Sequence, residues 1–553
     1  MSEYFDLGGH TRTISTSSPE AQLWFDRGLN WTYAFNHEEA IRCYTKAAEA
    51  DPSCPMPLWG IAYAMGPNYN LPWWKFPEPL VKQTVADAYA TTQQALGLLD
   101  NASPAEQALI KALAARYQAP EPPPAVEELE DWNDAYANAM REVYRDFGDD
   151  LDVATLFAEA MMDRTPWLMW DLNTGQPADN ADTVEAAEVL ERALENPASR
   201  KHPGVLHLYV HLMEMSPHPE KALRAGDWLR GLVPDGGHLQ HMPTHIDVLC
   251  GHYQDVVTWN HEAIISDRKF VEREGVMNIY TLYRTHNYHF KLYGAMFQGQ
   301  YEAAMDAAEE MVRYIPEELL RVETLPMADL LESFLPMNMH VMIRFGKWQE
   351  IIDAPLPDDQ ELYCVTTAMI HYAKGVAYSA TGQVTQAEEQ KALFEAAVSR
   401  VPDTRYLHNN VSLDLLAVAA EMLNGELEYR KGNFDVAFGH LRKAVELEDA
   451  LPYDEPWGWM QPSRHALGAL LLEQGHVEEA EAAYRADLGL DDTIGRAFQH
   501  PENVWALHGY YECLTRLGKD AEAKMIKQRL DLAVARADVP IYASCACRMS
   551  AAA

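Results

Sequence analysis

The sequence predicts an all-α fold: antiparallel helical hairpins stacked into a superhelix, an α-solenoid. Three observations predict it. Segment 24–52 carries Trp24, Gly28, Trp31, Ala40, Tyr44, Ala47 and Pro52, alternating large and small side chains over two helices before a stop. A turn-plus-alanine signature recurs as GQYEAA at 299–304, GNFDVA at 432–437 and GHVEEA at 475–480. Almost nothing shows the period of two that marks a half-buried strand.

Each element has a physical reason. Gly28 and Ala40 let two helices approach closely, the aromatic residues fill the space between hairpins, and Pro52 stops the second helix. Gly375, Tyr378 and Ala387 repeat the arrangement, as do Trp505, Gly509 and Ala521. On these residues the chain resembles the tetratricopeptide repeat family over most of its length. Gly425, Gly468 and Gly509 lie further apart than the family's usual spacing of about 34 residues, which predicts longer helices or loops. The proline run APEPPPA at 119–125 cannot be helical. Segments 171–181 and 451–462, the latter with Trp457 and Trp459, also read as irregular. The organisation expected is an N-terminal repeat unit at 1–118, a middle array at 127–350, a C-terminal array at 351–536, and a tail at 537–553 containing a Cys-x-Cys.

With 44 basic and 83 acidic residues the formal net charge is -39. That disfavours a nucleic-acid backbone as partner, because such binding relies on clustered Lys and Arg, and it could enrich cations near the surface. No run of about 18 uncharged apolar residues marks a membrane span. The N-terminus, MSEYFDLGGHTRTIS, lacks the basic and apolar regions of a signal peptide. Seven scattered cysteines argue against a disulfide framework and for a reducing, cytoplasmic setting.

The chemistry concentrates in the histidines. His207, His211 and Glu214 stand at i, i+4 and i+7, and His238, His241 and His245 at i, i+3 and i+7, so each triad lies on one helix face. Pro243 falls inside the second triad and marks a helix start there. Aligning Ala222 and Pro234 with the repeat pattern puts the first triad at repeat positions 5, 9 and 12, and the second at 2, 5 and 9. Taking Gly299 and Gly346 as turn glycines puts His286 and His289 at positions 2 and 5, and His340 at position 9. The resemblance implies that these positions line a concave groove, where side chains distant in sequence converge. His10, His218, His440 and His476 fall out of phase and read as ordinary solvated or turn histidines.

Neutral imidazole is the commonest ligand for zinc, copper, iron and nickel. The set predicts a bound transition metal, copper ahead of iron or zinc. Two histidines with Glu214 suit non-haem iron, and three histidines suit copper or catalytic zinc. Cys545 and Cys547 would face the same side of an extended tail, where both thiols could grip a soft metal or close over the groove. Asn68 and Asn70 in segment 66–74, with Arg164, Trp167 and Trp170 in segment 164–171, would wall a substrate pocket, Arg164 pairing a carboxylate. The function expected is a copper- or iron-dependent oxidoreductase acting on a small molecule in the groove. The alternatives are a scaffold binding a peptide there, which is the family's default role, and a metal storage or delivery protein. Histidine and glutamate at the groove positions, instead of basic or Asn-rich residues, favour the metal.

Overall fold

The computed structural model describes residues 4–323 and 325–551. Contacts group the chain into two compact units: Met1–Ile246 with Glu262–Tyr280, and Asp247–His261 with Thr281–Ala553. Both units are runs of helical hairpins, so the all-α prediction holds. Among the described residues no helix is long and apolar enough to cross a membrane.

The first unit opens with the hairpin Pro19–Tyr33 and His37–Ala50. Ser18 caps it, accepting from the Ala21 amide at 3.2 Å, and Pro19 follows at the first helical position. The small-against-large pattern is literal here. A Cβ on Gly28 or on Gly60 would lie 2.6 Å from the Tyr44 ring, so Tyr44 fills a slot between two glycines. Tyr484 in the second unit repeats the device between Gly468 and Gly509. The stretches 119–125, 171–181 and 451–462 are all non-helical, as expected.

The turn-plus-alanine signature also has a visible cause. Gly299, Gly432 and Gly475 have φ of 76°, 83° and 82°, and Ala304, Ala437 and Ala480, five residues on, are fully buried. Only glycine takes that backbone without strain. The first hairpin breaks the rule: Phe35 occupies the same position, five residues before Ala40, at φ 54°.

The second unit contains the hairpins Thr281–Gln298 with Tyr301–Arg313, Cys364–Ala380 with Val384–Val398, and Ser412–Arg430 with Phe434–Asp449. Two more follow, Ser463–Gln474 with Val477–Asp487 and Val504–Arg516 with Asp520–Val534. A two-residue strand pair, Tyr406–Leu407 against Asn410–Val411, carries His408 at its tip with φ 49°.

The tail corrects an expectation. Cys545 and Cys547 are bonded to each other. In that form neither sulfur is a thiolate ligand, so the two-thiolate grip does not describe this state. The tail is held within the second unit. Arg344 donates to the Ser544 carbonyl (2.8 Å), the Ser544 hydroxyl donates to the His465 carbonyl (2.8 Å), and Arg548 forks onto Glu512 (2.6 and 2.8 Å).

Candidate metal centre

In the first unit, helix Pro203–Glu214 is buried along its whole length. His202 caps it, its Nδ1 accepting from the Val205 amide at 3.2 Å. This helix presents His207 and His211 one turn apart. The second triad is not on one helix. Helix Gly237–His241 carries His238 and His241, and after Met242 a new helix, Pro243–Leu249, carries His245. Pro243 has no amide proton to continue the first helix, so it starts the second. Gly237 is required at the entry, because a Cβ there would lie 2.0 Å from Asp267 Oδ1.

The five imidazoles nonetheless come together. Ligand atoms of His207, His211 and His238 lie within 4.8 Å of one another. His207 Nε2 is 3.2 Å from His238 Nε2, and His241 Nε2 is 2.7 Å from His245 Nε2. The His211 and His245 rings are 5.5 Å apart. All five rings are 0–1% exposed. Burial lowers the His211 pKa to about 3, and it holds His207, His238 and His245 well below the usual value, with neighbouring imidazoles adding to the effect.

The hydrogen bonds fix which nitrogens carry protons. His207 Nδ1 lies 2.7 Å from the Tyr33 carbonyl, which only accepts. His211 Nδ1 lies 2.9 Å from Glu214 Oε1, and His245 Nδ1 bonds the other Glu214 oxygen. Glu214, taken as ionised, also only accepts. All three rings therefore carry the proton on Nδ1 and expose a lone pair on Nε2. The Nε2 of His211 is buried without a hydrogen-bond partner. Glu214, expected among the ligands, bonds the Nδ1 of both His211 and His245 and also belongs to a group of side chains close enough to hold a metal.

Aromatic residues wall the site. Phe35 lies 4.5 Å from the His207 ring and is stacked on His211 (5.8 Å) and His238 (5.4 Å). Its left-handed backbone costs of order 1 kcal/mol, and the strain is spent where three imidazoles meet. The detectable signal was a phenylalanine at the position where the sister turns have glycine. Replacing Phe35 with Gly is expected to relax the turn yet loosen the three rings packed on it; circular dichroism on heating and the imidazole NMR signals of the variant check both halves.

The substrate residues expected from the sequence are placed differently. Arg164 is occupied by Asp134 (2.6 Å) and Asp182, which corrects its reading as a carboxylate receptor. Asn68 builds its own turn, accepting from the amides of Asn70 (3.0 Å) and Leu71 (3.1 Å). Asn70 sits in that turn, and Tyr69 between the two reaches the site, 4.8 Å from the His211 ring. Trp167, at φ 55°, packs on Tyr69 at 5.6 Å, and Trp170 Nε1 donates to the Leu212 carbonyl at 2.7 Å. These loops back the histidine helix.

His10 corrects another expectation. It is not a solvated histidine: its Nε2 is 3.1 Å from Asp152 Oδ1, which also engages His202 Nε2 (3.0 Å) and the Tyr33 hydroxyl (2.7 Å). Arg12 donates to the other oxygen at 3.0 Å. Asp152 is thereby held well below the carboxylate range, against the cost of burial, by the hydrogen bonds from His10 and His202. A depressed carboxylate pKa stabilises the fold above the unfolded value and loses that contribution as pH falls through the folded one. Asp152→Asn is expected to cost about 3 kcal/mol at pH 7. The gap in denaturation midpoint from the parent should narrow below about pH 4; a gap independent of pH would contradict the assignment.

His286, His289 and His340 lie in the second unit, all buried. There His286 Nδ1 meets His408 Nε2 at 2.9 Å, and His340 packs edge-on against Trp459 at 5.1 Å. Sequence reasoning missed His408 because it lies on a strand turn, outside the repeat register.

Hairpin architecture and a buried imidazole set together define an all-α protein of stacked helical hairpins with a candidate metal centre. Neither a protein-family model nor a curated protein sequence matches the chain. Among solved structures it is similar to a monomeric IFIT1 mutant with m7Gppp-AAAA, at 12% identity over 86% of this chain and 90% of that one, TM-score 0.34. It is also similar to yeast Tom70, at 11% identity over 92% and 96% of the two chains, TM-score 0.29. A third likeness is to Naa15/Naa10 bound to HypK-THB, at 12% identity over 93% of this chain and 70% of that one, TM-score 0.22. Likenesses this distant leave the function to be read from the chain's own residues.

Proposed function

We propose that this chain is a metal-binding helical-repeat protein whose first unit holds a transition metal through His207, His211, His238, His241 and His245, with copper expected ahead of iron or zinc. The observation that carries the reading is the protonation pattern. Three buried rings have their Nδ1 protons committed to a carbonyl or to Glu214, so their Nε2 lone pairs converge away from water. The His211 Nε2 has no hydrogen-bond partner, and those of His207 and His245 meet the Nε2 of His238 and His241, so a cation among them would take up the His211 lone pair and replace two imidazole–imidazole bonds. A carboxylate or carbonyl behind each ligating imidazole is the usual bracing of a metal-bound histidine. Neutral imidazoles suit copper, iron, nickel and zinc, and five exceed the four positions of a tetrahedral zinc site. The fuller reading is an oxidoreductase acting on a small molecule, with the metal supplying the redox chemistry and Phe35 and Tyr69 excluding water. A groove-bound peptide is the alternative; because the rings are 0–1% exposed, it would bind elsewhere on the hairpins, and a small molecule would need an opening to reach the set.

Elemental analysis of tag-free protein is the test. Copper or iron near one or more per chain, followed by oxygen consumption with candidate reductants, is the expected outcome. Absence of metal after reconstitution with each ion would overturn the reading.

A further inference from the structure

A second set of donors lies in the other unit and stands on different residues. His289 is fully buried on helix Thr281–Gln298, and its Nε2 lies 2.9 Å from the sulfur of Met460, which is also fully buried. Such a distance is typical of nitrogen to oxygen and is close for the larger sulfur, a weak acceptor. The other nitrogen, Nδ1, is buried without a hydrogen-bond partner. Each neutral tautomer of this ring is therefore poorly satisfied. With the proton on Nε2, the ring makes one weak bond to sulfur and leaves a bare lone pair. With the proton on Nδ1, a buried N–H is unpaired and the Nε2 lone pair faces the sulfur lone pairs.

Two further imidazoles attend this pair. The His408 ring is stacked 5.9 Å from His289, and its Nε2 meets His286 Nδ1 at 2.9 Å. Phe334 stands edge-on to His289 (5.2 Å) and His408 (4.9 Å), closing the donors in an apolar wall. His408 is itself held at φ 49°, a strained backbone for a non-glycine residue. Strain of this kind persists where surrounding structure imposes it, often at ligand clamps.

We propose that the second unit binds copper(I) through the thioether of Met460 and the imidazole of His289, with His408 beside them. A thioether is a soft ligand that selects copper(I) over zinc or iron(II), and imidazole is compatible with it. A soft cation lying against Nε2 and sulfur turns two repelling lone pairs into ligands. Neither Met460 nor His408 belongs to the repeat register. The proposal rests on the second unit alone and does not require the first unit's histidines to hold a metal.

The test is anaerobic copper(I) titration of the full chain against a competing copper(I) chelator, with X-ray absorption to detect sulfur bound to copper. Cys545→Ser and Cys547→Ser are included throughout, so that the tail supplies no sulfur. The parent should show a copper–sulfur signal. Met460→Leu, which keeps the side-chain volume, should remove it and weaken copper(I) binding about tenfold or more, the scale on which metal sites respond to lost partners. His289→Gln should weaken binding as much, giving a second variant should the first fail to fold. The His211→Ala/His245→Ala double variant should retain the signal; this separates the proposal from the first unit's centre. No sulfur signal in the parent, or an unchanged signal and affinity in Met460→Leu, overturns the proposal.

Discussion

Replacing His211 and His245 together with Ala is expected to strip the metal proposed for the first unit while the hairpins stay folded. The two rings are the ones whose Nδ1 protons are both committed to Glu214, so the double change removes the best-oriented Nε2 donors at once. It also leaves His207, His238 and His241 without the geometry for a complete coordination sphere. The structural cost is bounded. Deleting buried groups of this size costs about 2–5 kcal/mol each, offset in part because the change also removes the close Nε2–Nε2 approach of His241 and His245, 2.7 Å apart. Metal per chain by elemental analysis should fall from its parent value toward zero at this centre, with helical circular dichroism retained. Full metal content in the double variant would sink the ligand set.

Glu214→Gln should produce the second large effect, without touching a ligand. The carboxylate accepts from two Nδ1–H groups, one on each oxygen. A glutamine has one acceptor oxygen, and its NH2 would face the second Nδ1–H donor to donor. Either His211 or His245 must then flip its tautomer and withdraw a lone pair from the centre. Loss of such a bracing partner typically costs 10–100-fold in metal affinity, and competition with a chelator of known affinity reads it directly. An affinity equal to the parent's would show that Glu214 is not what orients the rings. Glu214→Asp, which keeps two acceptors on a shorter arm, should recover part of the loss, a response that a purely packing role would not give.

Much of the fold was legible in the chain. Tyr44 with Gly28, and the Gly–Ala turn pairs, are local devices, because a hairpin's two helices contact each other within one repeat. The site was partly legible for the same reason. His207 and His211 are one helical turn apart, so periodicity alone places them on a common face. The second triad spans two helices, as Pro243 signalled, because proline restarts the backbone between His241 and His245. Phe35 and Tyr69 were missed as walls of the site; both come from turns, and nothing in the chain's periodicity says which way a turn side chain points. Arg164 read as a free cation because its partners, Asp134 and Asp182, lie on other elements.

The sequence by itself determined the helical hairpins, their glycine and alanine contacts, the proline-rich breaks and the unusual supply of histidines, all of which rest on neighbours within a few turns of chain. Only the tertiary structure decided that the Nδ1 protons of His207, His211 and His245 go to Tyr33 and Glu214, that Asp152 gathers His10, His202 and Arg12, and that Met460 meets His289. Those are contacts between distant segments. A hydrogen bond is set by ångström-scale placement, which sequence periodicity does not encode, and in a buried site it is that placement which settles which lone pairs are left for a metal.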